Sequence, residues 1–207
     1  MVYRTTPKMA RRKEENRARL LETAIRLFGS EGYHRTTVPD IVRESGSSTG
    51  AFYFYFRNKE DVFAAALESV GQQLSAALNE AISGAGEDVL RQMRTAVETL
   101  IMYLAQHPDQ ARVLIVESSG MTPNVAKVRR SIIASHCRSV EQALLKISES
   151  LPRLDPRLVA GCWVGAVHES VYQWLESPKA KRPNAQTLAR QVSNFNLRAI
   201  GARQERC

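Results

Sequence analysis

Apolar residues along the chain recur three and four positions apart, and strict alternation is missing. That is the period of helices, not of strands. From Glu14 to Ser30, Leu20, Leu21, Ala24, Ile25, Leu27 and Phe28 fall on one helical face, with Gly29 and Gly32 at the expected stop. In TTVPDIVRESG, Thr37 can cap a short helix. Asp40 completes a capping box, Pro39 fits the first turn, Ile41 and Val42 face inward, and Gly46 is the exit. A second short helix follows at about Ser48 to Tyr55. Asn58 then caps a longer one, Lys59 to about Ile82, with Val62, Phe63, Ala66, Leu67, Val70 and Leu74 inward. The Gly-rich SGAGED (Ser83–Asp88) reads as a break between two helical units.

Five more helices are expected. They run from about Glu87 to Gln106, Asp109 to Ser118, Thr122-Pro123 to about Ser150, Asp155-Pro156 to about Glu176, and Asn184 to about Ala202. The expectation is an all-α protein of about nine helices. Its two short helices, joined through a glycine and preceded by a longer helix, make a helix-turn-helix in a three-helix head.

In that geometry the second short helix lies in a DNA major groove, N-terminal end toward the bases. Gly50 and Ala51 permit close backbone approach, and the Ser48 and Thr49 hydroxyls suit bases or phosphates. The helix carries Phe52, Tyr53, Phe54, Tyr55 and Phe56 in unbroken succession. Five consecutive rings cannot share one face. Phe52 and Phe56 lie one turn apart and pack inward, which turns Tyr53 and Phe54 outward. Tyr53 can donate to a phosphate, and Phe54 can press on a thymine methyl or a sugar.

Charge supports a polyanionic partner. The chain carries +8, with pI near 9.7. Residues 1–19 contribute a net +5 through Arg4, Lys8, Arg11, Arg12, Lys13, Arg17 and Arg19, and read as a basic arm. No apolar segment reaches membrane-spanning length, and the basic N-terminus lacks the apolar centre of a signal peptide, so a cytoplasmic location is expected. Cys137, Cys162 and Cys207 form no disulfide or metal-knuckle pattern. Catalysis, a metal and a cofactor are not expected. Cys162 and His168 fall on different helix faces, and no zinc motif or phosphate-binding loop is present.

LLETAIRLFGSEGYHRTTVPDIVRESGSSTGAFYFYFRNKEDVF (Leu20–Phe63) resembles the DNA-binding domain of TetR-family transcriptional regulators. The GYHRTTV lead-in, the Asp40-Ile41 pair, the glycine turn, the aromatic helix and NKEDVF carry the likeness. It implies a basic arm over 1–19, a helix-turn-helix domain over 20–67, and a helical ligand-binding and dimerisation domain over 68–207. Thr37, Tyr53 and Lys59 would hold phosphates, while Ser48, Thr49, Gly50, Ala51 and Phe54 would face the groove. Ser47 stands where the family usually has a branched apolar residue, and could reach the DNA backbone.

The resemblance also implies a homodimeric repressor released from a palindromic operator in double-stranded DNA by a small, largely apolar inducer. A ligand-independent DNA-binding or architectural protein with the same head is the alternative. Independently, Gly161 and Gly165 one turn apart suggest a close helix contact, and Leu188, Val192, Phe195 and Ala199 form an apolar stripe. Both would serve a dimer interface, intrachain packing being the other reading. An inducer pocket would draw on Leu100, Tyr103, Leu104, Val116, Glu117, Met121, Trp163, Val167, His168 and Tyr172, many of which could equally be plain core. The ionisable residues in apolar stretches, Glu117, His136, His168 and Glu169, could bind ligand, pair across a dimer, or pair locally. A weaker likeness, in EDVFAAALES, VESSG and GAVHESVYQWLES, to the family's fatty-acid branch makes acyl-CoA a candidate inducer.

Overall fold

A computed structural model describes residues 7–150 and 155–202, with side chains over 11–149 and 155–202. Among the described residues there is no strand. The helices are α1 (Pro7–Glu31), α2 (Val38–Glu44), α3 (Thr49–Tyr55), α4 (Lys59–Gly84), α5 (Val89–Gln106), α6 (Pro108–Ala111), α7 (Pro123–Lys146), α8 (Pro156–Glu176) and α9 (Ala185–Ala199). A π-helical segment, Arg112–Glu117, continues α6.

Side-chain caps set most helix starts. The hydroxyl or carboxamide oxygens of Thr37, Ser48, Asn58 and Asn184 accept backbone N–H bonds two or three residues into their helices, as do the carboxylates of Asp88 and Asp155. The capping box is complete, because the Asp40 carboxylate accepts in return from the Thr37 backbone N–H at 3.1 Å. Bonds from the Thr37 hydroxyl and then Arg43 hold the Asp40 carboxyl below the usual carboxylate range.

Some boundaries differ from the expectation. α1 begins at Pro7, so the basic residues from Lys8 to Arg19 lie on a helix and not on an extended arm. Nothing between Pro7 and Glu14 breaks a helix, and Arg11 pairs with Glu15 one turn on at 2.8 Å. Arg4 lies outside the described residues. α7 ends at Lys146, short of Ser150, and α9 ends at Ala199 before Gly201 turns left-handed (φ 77°). Thr122 makes no cap; its hydroxyl donates to Glu60 Oε1 at 2.7 Å.

α4 is the spine. It packs on α1 in the head and on α5 and α7 in the body, and it passes residue 67 without interruption. α5 packs on α9, and α7 on α8. The Ser193 hydroxyl donates to Glu98 at 3.0 Å, and Asn196 Nδ2 donates to the Trp163 carbonyl at 3.3 Å, so α9 is anchored to both α5 and α8. Head and body touch directly where α1 meets α6. A Cβ on Gly29 would stand 2.4 Å from Asp109 Cα, so only glycine permits that approach.

Candidate DNA-reading surface and body cavity

α3 projects from a core of Leu20, Leu27, Phe28, Ile41, Phe52, Phe56 and Phe63, all buried. Phe52 and Phe56 anchor it there, their ring centroids 5.7 Å apart. Tyr53 and Phe54 are 56% and 65% exposed. Their exposure matches the division of the aromatic run read from helical spacing. The fifth ring, Tyr55, is half-buried and donates its hydroxyl to the Lys13 carbonyl at 2.9 Å, tying α3 back to α1. Lys13 Nζ lies 4.9 Å from the Phe54 ring centroid, which places a basic side chain of α1 beside the outward ring. Thr37, Ser48, Thr49 and Gly50 are exposed and Ala51 is half-buried. Together with Tyr53 and Phe54 they belong to the two short helices and their N-caps.

Two residues assigned to DNA sit otherwise. Lys59 donates to the carbonyls of Tyr33 at 2.9 Å and Thr36 at 3.0 Å, and its ammonium lies 4.3 Å from the Tyr33 ring centroid. Its donors are spent holding the α1–α2 loop, which corrects the phosphate role. Ser47 is corrected as well: its Oγ is buried, without a hydrogen-bond partner. The hydroxyl occupies an inward slot and not the DNA side.

The body holds a partly open cavity of about 240 Å³ among α4, α5, α7, α8 and the π-helical segment. Of the residues expected to form an inducer pocket, Leu100, Leu104, Trp163, Val167 and His168 line it. Tyr103, Val116, Glu117, Met121 and Tyr172 do not, and this corrects half of the expected set. Tyr103 turns to α6, its hydroxyl donating to Gln110 at 2.8 Å. Glu117 accepts from the Tyr33 backbone N–H in the head. Val116 and Met121 are half-buried against the core elsewhere. On α8 the inward stripe is Trp163, Val167 and Val171, so Tyr172 points a step away.

The cavity's titratable lining is Arg129, His136 and His168. Burial pushes both imidazoles below the ordinary histidine range. For His168 the charge of Arg129 adds to this, and Glu169 partly opposes it. Arg129 escaped sequence reasoning because it sits in KVRRS, a basic run that reads as solvated surface.

The family model for bacterial regulatory proteins of the tetR family matches residues 20–66, which span α2, α3 and the parts of α1 and α4 that hold them. The HTH-type transcriptional regulator YdgC of Bacillus subtilis is 27% identical over 167 residues, covering 78% of this chain and 82% of that one. Residues 20–66 thus carry a tetR-family DNA-binding domain. The body's fold agrees. FadR from Bacillus halodurans superposes at a TM-score of 0.77, with 21% identity over 87% of this chain and 97% of its own. FadR from Bacillus subtilis, solved in complex with stearoyl-CoA, does so at 0.77, with 19% identity over 90% and 99%.

The chain also presents an open apolar face on α8 and α9. Gly161 and Gly165 are exposed, with nothing within 4 Å of where a Cβ would stand. Leu158 and Phe195 are 66% and 62% exposed. Ala199 is exposed beside them in sequence register, one turn beyond Phe195. Leu188 and Val192 are buried in the chain's own core, which corrects their assignment to a dimer face. A single stripe on α9 was expected to face outward, yet the buried face runs along the helix through Leu188, Ala189, Val192, Ser193, Asn196 and Leu197, and only Phe195 and Ala199 of that stripe stay exposed.

Proposed function

We propose that the protein is a homodimeric regulator that binds a palindromic operator through paired α3 helices and is released when a small, largely apolar ligand fills the body cavity. The observation that carries the DNA reading is α3 itself. It is capped, held by buried Phe52 and Phe56, and displays Tyr53 and Phe54 to solvent. Thr37 and Tyr53 would meet phosphates; Ser48, Thr49, Gly50, Ala51 and Phe54 would enter the groove. The face of Leu158, Gly161, Gly165, Phe195 and Ala199 would meet its copy across a twofold axis, since small residues let helices approach and an isologous contact closes the pair. Two recognition helices then address successive major grooves about 34–36 Å apart. A ligand that binds better to a dimer of different spacing shifts the population off DNA. Operator binding would take place in the cytoplasm, and no described helix is long and apolar enough to cross a membrane.

A ligand-independent mode for the same head leaves the lined cavity without a use. The likeness to a FadR solved with stearoyl-CoA supports acyl compounds as first probes. The test is fluorescence anisotropy with the DNA upstream of the protein's own coding region, over a salt series, with and without long-chain acyl-CoA. Tight binding that weakens steeply with salt supports the head assignment. Equal affinity for that DNA and for random duplexes across a wide operator search overturns it. Phe195→Asp should convert a dimer to monomers in sedimentation; a sedimentation coefficient unchanged by the substitution would remove this face from the interface.

A further inference from the structure

Arg129 stands in the cavity wall with no carboxylate to answer its charge. Its Nη2 donates to His168 Nε2 at 3.0 Å, and its Nε is buried without a partner. Among the described residues no Asp or Glu pairs with it, and none lines the cavity. Guanidinium only donates, so His168 Nε2 accepts, and that ring is neutral with its proton on Nδ1. His168 therefore orients Arg129 but supplies no counter-charge. His136, in the same wall, also has a buried Nε2 with no partner. A half-buried cation whose hydrogen-bond partner is neutral is costly to hold, and an anion entering the site relieves that cost. The rest of the wall is mostly aliphatic, including Leu74, Leu104, Ile115 and Val167. The volume, about 240 Å³, lies below the roughly 300–1,000 Å³ usual for drug-sized ligands.

We infer that the cavity takes an amphipathic monocarboxylate head-inward, its carboxylate on the guanidinium of Arg129 and its hydrocarbon chain along the aliphatic wall. This rests on reading the cavity as the effector site, and it names the effector's chemistry. A free acid and a CoA thioester are then distinguishable. The thioester's acyl end is uncharged and gives Arg129 nothing to pair with when it enters first, whereas the acid delivers a full negative charge through charge-assisted hydrogen bonds.

The test is calorimetric titration of the full chain, without DNA, with decanoate, decanol and decanoyl-CoA. The wild type should bind decanoate at least about tenfold more tightly than decanol, the margin of one charge-assisted bond. Arg129→Gln should bring decanoate down to the affinity of decanol, and Arg129→Lys, which keeps the cation, should retain a preference for the acid. Removing the unanswered charge should also raise the melting temperature of ligand-free Arg129→Gln by about 2–4 °C, so lost selectivity cannot be put down to misfolding. Equal affinity for acid and alcohol in the wild type overturns the assignment. So does unchanged decanoate binding in Arg129→Gln, binding of decanoyl-CoA alone, or no binding of any of the three. Because no DNA is present, each of these outcomes leaves the operator-binding reading standing, and a failed anisotropy titration would leave this one standing.

Discussion

The backbone N–H of Tyr33, in the loop after α1, donates to Oε2 of Glu117 on the π-helical segment at 2.8 Å. The two residues lie 84 apart in sequence, one in the head and one in the body. Glu117 also lies 3.9 Å from Arg112, and both its carboxylate oxygens would be 3.5 Å from a Cβ on Gly32, whose φ of 92° favours glycine. Glu117→Ala leaves the Tyr33 N–H unpaired, and should lower stability by about 1–3 kcal/mol. Glu117→Gln, which keeps an acceptor, should cost less. Urea unfolding of the three proteins checks this, and equal midpoints for wild type and Glu117→Ala would remove the contact's importance.

Ser47 buries a hydroxyl that finds no partner. Substituting alanine deletes an unsatisfied buried polar group, so Ser47→Ala should raise stability by about 1 kcal/mol and leave operator affinity unchanged. A loss of affinity with no gain in stability would show that the hydroxyl does reach DNA.

Lys59 and Tyr53 separate folding from binding. Lys59→Met strips the carbonyls of Tyr33 and Thr36 of their donor and should cost about 1–3 kcal/mol of stability. The slope of log affinity against log salt should stay the same, because no phosphate contact is lost; a cation on phosphate would flatten it by about 0.9. Tyr53→Phe should do the reverse, weakening DNA binding while the melting temperature holds. The two variants are compared by thermal melts and salt-series anisotropy.

Acid should loosen the body. His136 is held neutral by burial, its folded value lowered from the ordinary 6.5. Below pH about 6.5 the unfolded chain therefore binds a proton that the folded one resists. The stability held above that pH is lost as pH falls toward the lowered value. His136→Leu should flatten the fall in urea midpoint between pH 8 and 5.5; an undiminished fall would assign it to other groups.

Much of this architecture was legible in the sequence. Helical spacing set out the helices, and Thr37, Asn58 and Asn184 capped where short polar residues preceded apolar runs. The five rings divided as spacing required, because Phe52 and Phe56 are one turn apart whatever lies around them. What escaped depends on distant partners. Lys59 looks like a free cation until the loop 23 and 26 residues earlier brings carbonyls to it. An apolar stripe says that a helix is covered, not by which neighbour, so Leu188 and Val192 were assigned to the wrong one. Arg129 is locally one more surface arginine, and only the fold places it in a cavity wall.

The π turn at Arg112–Glu117 makes the path from cavity to head a matter of counting residues. Each of its rings closes over one residue more than an α-helical ring does. Leu114 and Ile115 line the cavity, and Glu117, two positions on, holds the head. Excising one residue would return the segment to ordinary α-helical pitch, about 100° per residue, and change the angle at which Glu117 stands to Leu114 and Ile115. The Glu117 carboxylate would then swing off Tyr33 while Leu114 stayed on the cavity wall. The surplus residue is what lets one short segment face two ways at once.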